Sequence, residues 1–251
     1  MAHWLASQGF DRLSILEGGL AGWRVAGFPL ETPRIEAPAA QRRDGTPLGD
    51  AAGLLPFVPS LADRYLLDGG LPARRRLTTL FVDIAGSTRL LAHHPPERVL
   101  GVVQRFMRLV TEVALAYCGD VKDFEGDGAL LYFESTAEAA QAAFAIRAAL
   151  TRGCCATESR VAARMSLTVG DVVLGVVGSA MRQAVALVGP SVNVGARLLK
   201  QIPPGGIIVT GEVVEALQAE APSLAAEFRL QDAAFEVPGA DGITVATYVT
   251  L

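Results

Sequence analysis

Beyond residue 76 the hydrophobic period switches between two and 3.6 in a fixed order, and that order leaves few folds open. LTTLFVDI, 77–84, is apolar and β-branched and predicts a buried strand stopping at Ala85-Gly86. An amphipathic pattern follows to near Tyr117; Ser87 or Thr88 is expected to cap its start, and Pro95-Pro96 to break it in two. GDVKDFE and ALLYFE flank Gly126-Asp127-Gly128 and predict a hairpin. TAEAAQAAFAIRAAL reads as a helix, and MSLTVGDVVLGVV and AVALVG as strands. Ser191 is expected to cap a helix through VNVGARLLKQI, ended by Pro203-Pro204-Gly205-Gly206. GIIVT then predicts a strand, GEVVEALQAE a helix, and FRLQDAAFEV with GITVATYVTL a closing hairpin. Strand, helix, hairpin, helix, strand is a split βαβ order. It predicts an α+β, ferredoxin-like sandwich, with helices packed on one face of a mostly antiparallel sheet.

Two acids sit where this pattern is otherwise apolar or tight. Asp83 ends the FVD run, where an unpaired carboxylate is costly to bury. Asp127 stands at the tip of the glycine turn. Each can be a local cap of its own turn. If their strands are neighbours, about 4.8 Å apart, the carboxylates converge and repel unless a cation lies between them. A hard divalent ion with oxygen ligands, such as Mg²⁺ alongside substrate phosphates, suits that arrangement. Gly86-Ser87-Thr88 adds backbone N–H groups before a helix, a good place for phosphate. Asn193 and Arg197 stand at i and i+4, so one helix face presents both; Arg offers a fork matched to phosphate oxygens. Taken singly, the plain reading of these two is a local cap and a surface arginine.

FVDIAGST, EGDGALLYF, TVGDVVLGVVGS and VGPSVNVGARL, in this order and spacing, together resemble the class III adenylate and guanylate cyclase catalytic domain over roughly residues 74–250. The resemblance implies conversion of ATP or GTP to cyclic nucleotide and pyrophosphate, in signal transduction, with two Mg²⁺ or Mn²⁺ ions per site. It implies a homodimer whose sites span the interface. Asp83 and Asp127 match the metal-binding aspartates, and Ile84 the position whose carbonyl also reaches a metal. Gly86, Ser87 and Thr88 match the triphosphate turn. Asn193 matches the ribose-orienting asparagine, and Arg197 the arginine on the phosphoryl charge.

The chain departs from that pattern in three places. Asp123 occupies the position of the purine-reading lysine, with Lys122 beside it. In a regular strand these neighbours point to opposite faces, and a bulge is what would bring Lys122 round. Ala186 occupies the second purine-reading position, and VPGADG, 237–242, lacks the phosphate lysine. Two readings therefore stand: a cyclase with altered base reading, for instance through Asp123 itself, or a weak or inactive module that binds nucleotide, metal or a partner protein.

Upstream, LEGG-x-x-x-W-x-x-x-G-x-P within residues 4–32 resembles the end of a rhodanese domain. No cysteine precedes Cys118, so sulfurtransferase activity is not expected from it. The expected organisation is a rhodanese-like fragment over 1–34, a linker over 35–73 rich in Pro, Ala and Gly, and a cyclase domain over 74–251. SLADRYLLDGG, 60–70, is expected to form a short helix. A net charge of -4 gives no reason to expect nucleic acid or an anionic membrane as partner. No apolar run has the length of a membrane span, and MAHWLASQGF lacks the features of a signal peptide. Cys118, Cys154 and Cys155 have neither disulfide nor metal spacing and read as free thiols, which points to the cytoplasm.

Overall fold

The computed structural model describes residues 70–153, 161–179, 182–240 and 242–251. The rhodanese-like stretch, nearly all of the expected linker and short helix, and Cys154 and Cys155 lie outside the described residues.

The elements in chain order are β1 (Ala73–Ile84), α1 (Ser87–His93), α2 (Pro96–Ala116), β2 (Asp120–Glu125), β3 (Gly128–Phe133) and α3 (Thr136–Thr151). There follow β4 (Ala163–Ser179), β5 (Arg182–Val188), α4 (Pro190–Leu198), β6 (Ile207–Thr210), α5 (Gly211–Glu220), α6 (Pro222–Ala225), β7 (Arg229–Glu236) and β8 (Thr244–Thr250). The strands form one sheet in the order β2-β3-β1-β4-β6-β8-β7, with β5 paired to β4. Among the described pairs only β4–β6 is parallel. The α+β sandwich with a mostly antiparallel sheet is therefore what forms.

Alternation along β1 divides the interior. Leu80, Val82 and Ile84 join the larger core with Val102, Phe106 and Val110 of α2, Ile146 of α3 and Leu217 of α5. Leu77 and Phe81 face the other way, with Leu130, Tyr132 and Val192 of α4. Thus α2, α3 and α5 cover one face, while α4 covers the opposite one, a placement the element order alone did not foresee. In α2 the buried residues Val99, Val102, Phe106, Val110 and Ala114 recur at three and four, the stripe expected of a core-facing helix. The proline pair breaks the helical stretch as expected: α1 ends at His93 and α2 begins at Pro96.

Both expected serine or threonine caps fall elsewhere. Gly86 precedes α1 in left-handed conformation, φ 80°, with no side-chain cap bond, so Ser87 and Thr88 are already helical. Gly189 precedes α4 and Pro190 takes its first turn, which puts Ser191 inside the helix. Glycine wins at Gly86 because a left-handed residue carries no Cβ penalty there.

Candidate functional site

Asp83 lies one residue from the end of β1, opposite Gly128 of β3 and Arg164 of β4. The Ile84 N–H donates to the Asp127 carbonyl at 3.3 Å, which ties the hairpin turn to β1. Gly126 is left-handed, φ 66°, and allows the reversal. A Cβ at Gly128 would stand 3.5 Å from Asp83 Oδ1 and 3.1 Å from the Val82 carbonyl, so glycine keeps the space beside the carboxylate open. The Asp127 carboxylate lies beside that of Asp83. Burial, then the negative charge of Asp127 and its side chain's hydrogen-bonding tendency, push the Asp83 carboxyl up to about 6. Arg164 and the Ile84 N–H pull the other way.

Two carboxylates this close, with one guanidinium beside them, form an all-oxygen donor set with excess negative charge. That set fits a hard divalent cation. Among the described residues no third His, Cys, Asp or Glu joins the pair. Further coordination would have to come from a backbone carbonyl such as that of Ile84, from water or from substrate. Arg164 is the residue the sequence reading missed. Its Nε is buried without a hydrogen-bond partner. The available signal was a single cation at the head of the apolar run ARMSLTV, informative only once the β1–β4 register is known.

Gly86, Ser87 and Thr88 follow Asp83 after Ile84 and Ala85, and the first N–H groups of α1 lack acceptors within the helix. No residue of α1 is buried, so this helix rests lightly on the fold.

On the same face of the sheet as Asp83, α4 carries Asn193 and Arg197 one turn apart. Buried hydroxyls of β4 hold the helix down. Ser166 Oγ donates to the Gly195 carbonyl at 2.7 Å, and Thr168 Oγ1 to the Ser191 carbonyl at 2.8 Å. A Cβ at Gly195 would meet the Phe81 ring and Thr168 Oγ1 at 3.0 Å, so glycine sets how closely α4 approaches. Ser166→Ala is expected to cost about 1 kcal/mol, since the Gly195 carbonyl keeps its helical partner. Calorimetry should show this as a fall of about 2–4 °C in melting temperature. Asn193 is exposed, and Arg197 Nη1 donates to the Pro238 carbonyl. Among the described residues neither carboxylate bonds to Asn193 or Arg197.

The β2–β3 pairing slips between Val121 and Asp123. Val121 faces Leu131, Asp123 faces Leu130, and Lys122 is the extra residue of a bulge. This corrects the expectation of a regular strand. Lys122 Nζ lies 3.1 Å from Asp123 Oδ2, and the side chains are 15% and 56% exposed, so lysine is the more enclosed of the two. The sequence signal was the spacing of Val121 and Phe124, three apart where a regular half-buried strand repeats every two. Ala186 lies half-buried in β5 opposite Gly175 and offers no polar side chain.

Comparison with known proteins bears on the domain as a whole. A family model described as the Adenylate and Guanylate cyclase catalytic domain matches residues 72–249. An uncharacterized protein of Mycobacterium bovis is 32% identical over 157 residues, 58% of this chain and 28% of that protein. An uncharacterized protein of Mycobacterium tuberculosis matches to the same extent. The chain thus spans little more than a quarter of the length of these curated relatives. Among solved structures, the adenylyl cyclase CyaB from P. aeruginosa is similar with TM-score 0.61 and 22% identity, over 71% of this chain and 95% of that one. The guanylate cyclase domain of RhGC from Catenaria anguillulae, in complex with GTP, is similar with TM-score 0.62 and 19% identity, over 71% and 98%. At these identities the likeness is one of fold.

Proposed function

The chain belongs to the adenylate and guanylate cyclase catalytic domain family, and from that premise we propose that it is a purine nucleotide cyclase acting on ATP or GTP. The observation that carries this reading is the Asp83–Asp127 pair, held side chain to side chain beside the opening of α1. Asp83, Asp127 and the Ile84 carbonyl would hold Mg²⁺ or Mn²⁺, which when bound neutralises phosphate charge and acidifies the ribose hydroxyl. The N–H groups of Ser87 and Thr88 bind the terminal phosphates. Asn193 orients the ribose so that its 3′-oxygen faces the α-phosphorus. The 3′-oxygen bonds to that phosphorus, the bond to pyrophosphate breaks, and the hydroxyl proton passes to solvent. Arg197 stabilises the charge gathered on the phosphoryl oxygens, a role worth on the order of 3 kcal/mol.

The working unit we propose is a homodimer. The carboxylate pair of one protomer faces Asn193 and Arg197 of the partner subunit. Two features support it. The carboxylates and the α4 residues do not bond within one chain. Residues 175–179 of β4 also run beyond the stretch paired with β1, and with β5 they form an arm bearing exposed Val176 and Val177. No helix among the described residues is long and apolar enough to cross a membrane; the cytoplasm and a signalling role complete the proposal.

Incubation of the chain with ATP or GTP and Mn²⁺, with products identified by mass, tests this. Cyclic nucleotide and pyrophosphate are expected from the wild type and neither from Asp127→Ala. A second reading, a domain that binds nucleotide without turnover, is favoured by Ala186 and by the lysine-free turn at 237–242. It gains if an intact dimer binds nucleotide and forms no product.

A further inference from the structure

The turn between β7 and β8 has no lysine, yet it is built against the arginine of α4. Val237, 1% exposed, packs with Val194 and Leu198 of the same helix. The turn closes on itself: Val237 N–H donates to the Ile243 carbonyl at 2.9 Å, Ala240 N–H to the Val237 carbonyl at 3.1 Å, and Ile243 N–H to the Ala240 carbonyl at 2.9 Å. Its rim points the Pro238 carbonyl at Arg197 Nη1. Gly239 follows in left-handed conformation, φ 66°, and a Cβ there would collide with the same Nη1.

We propose that the Val237–Gly242 turn is the positioning element for Arg197. It fixes a long, rotatable side chain by one backbone carbonyl and by the absence of a side chain at residue 239. A guanidinium has five N–H donors, and one bond to Pro238 leaves a fork free for phosphate oxygens. A loose arginine must be ordered each time substrate arrives; one already tied down has lost that freedom on folding. The turn thereby serves the reaction with no charged residue of its own. The catalytic part of this inference rests on the cyclase reading, and the contact between turn and arginine does not.

Two measurements on the full chain separate them. In amide hydrogen exchange, Arg197→Ala is expected to speed exchange several-fold at residues 237–243 and to leave β1 and β3 unchanged. Unaltered exchange in the turn overturns the proposal, whatever the chain's activity. In steady-state kinetics with Mn²⁺, Gly239→Ala is expected to lower kcat about 10-fold or more with KM within about twofold, the signature of a group that acts in the transition state. The same change made in the Arg197→Ala background is expected to cost nothing further. Equal losses in both backgrounds mean the turn acts independently of Arg197, and the proposal fails. A wild type that makes no product sinks the cyclase reading and the catalytic role with it, and the exchange result alone then decides whether the turn holds the arginine.

Discussion

Replacing Asp83 with asparagine is expected to abolish cyclic nucleotide formation and to raise the melting temperature of the metal-free protein at pH 7. The Asp83 carboxyl stands at about 6 against an ordinary 3.8, lifted first by burial and then by Asp127. A carboxyl whose folded value is the higher holds its proton more tightly in the folded state. Its favourable contribution is whole below about pH 4 and is lost as pH rises through about 6. At pH 7 the ionised pair is a net burden of about 1 kcal/mol, after discounting for the solvent that reaches the site. Asparagine keeps the shape and removes the charge, which corresponds to a rise of about 2–4 °C. Millimolar Mn²⁺ should act unequally on the two proteins: it stabilises the wild type, where the charges converge, and much less the variant. Scanning calorimetry between pH 4 and 8, with and without Mn²⁺, reads both effects. A variant that melts no higher than the wild type at pH 7 would show that the two carboxylates are not held together.

The second large effect is expected at the bulge of β2. Lys122→Ala should lower kcat/KM for the preferred purine triphosphate about 10–100-fold, the range of one lost charge-assisted hydrogen bond. Asp123→Ala should cost less, because Asp123 is the more exposed of the pair. The slip in register sets both residues against Leu130, so the strand offers a donor and an acceptor side by side. A purine edge presents a donor and an acceptor side by side as well. The ratio of ATP to GTP turnover should therefore move with both substitutions. If Asp123→Ala alone collapses the ratio while Lys122→Ala leaves it unchanged, the carboxylate reads the base without the lysine.

These two sites show what a sequence can carry. Asp83 and Asp127 were legible because each breaks a clear local pattern, and because strand and hairpin become neighbours in any split βαβ sheet. The bulge was harder to read. Edge strand DVKDFE has no fully buried residue to fix its register. The helix starts at Gly86 and Gly189 failed for another reason: serine and threonine nearby compete as caps on paper, while the backbone conformation decides. Arg164 and Pro238 depend on pairings between distant segments, and no local rule reaches them. The face chosen by α4 is of the same kind. It follows from Ser166, Thr168 and Gly195 meeting across the β4–α4 boundary, not from the helix's own periodicity.

The central position of β1 has a kinetic consequence. Its neighbours are β3 and β4, each recruited from far along the chain, and β4 must pair with β6 in parallel before the sheet is complete. Loop closure of that kind is entropically slow, and chains dominated by such long-range pairing fold late and cooperatively. Asp83 and Asp127 come together only when β1 has found β3. The unfolded chain thus offers a divalent ion no preassembled carboxylate pair. Manganese is expected to slow unfolding while leaving the refolding rate nearly constant, as for any interaction absent from an early transition state.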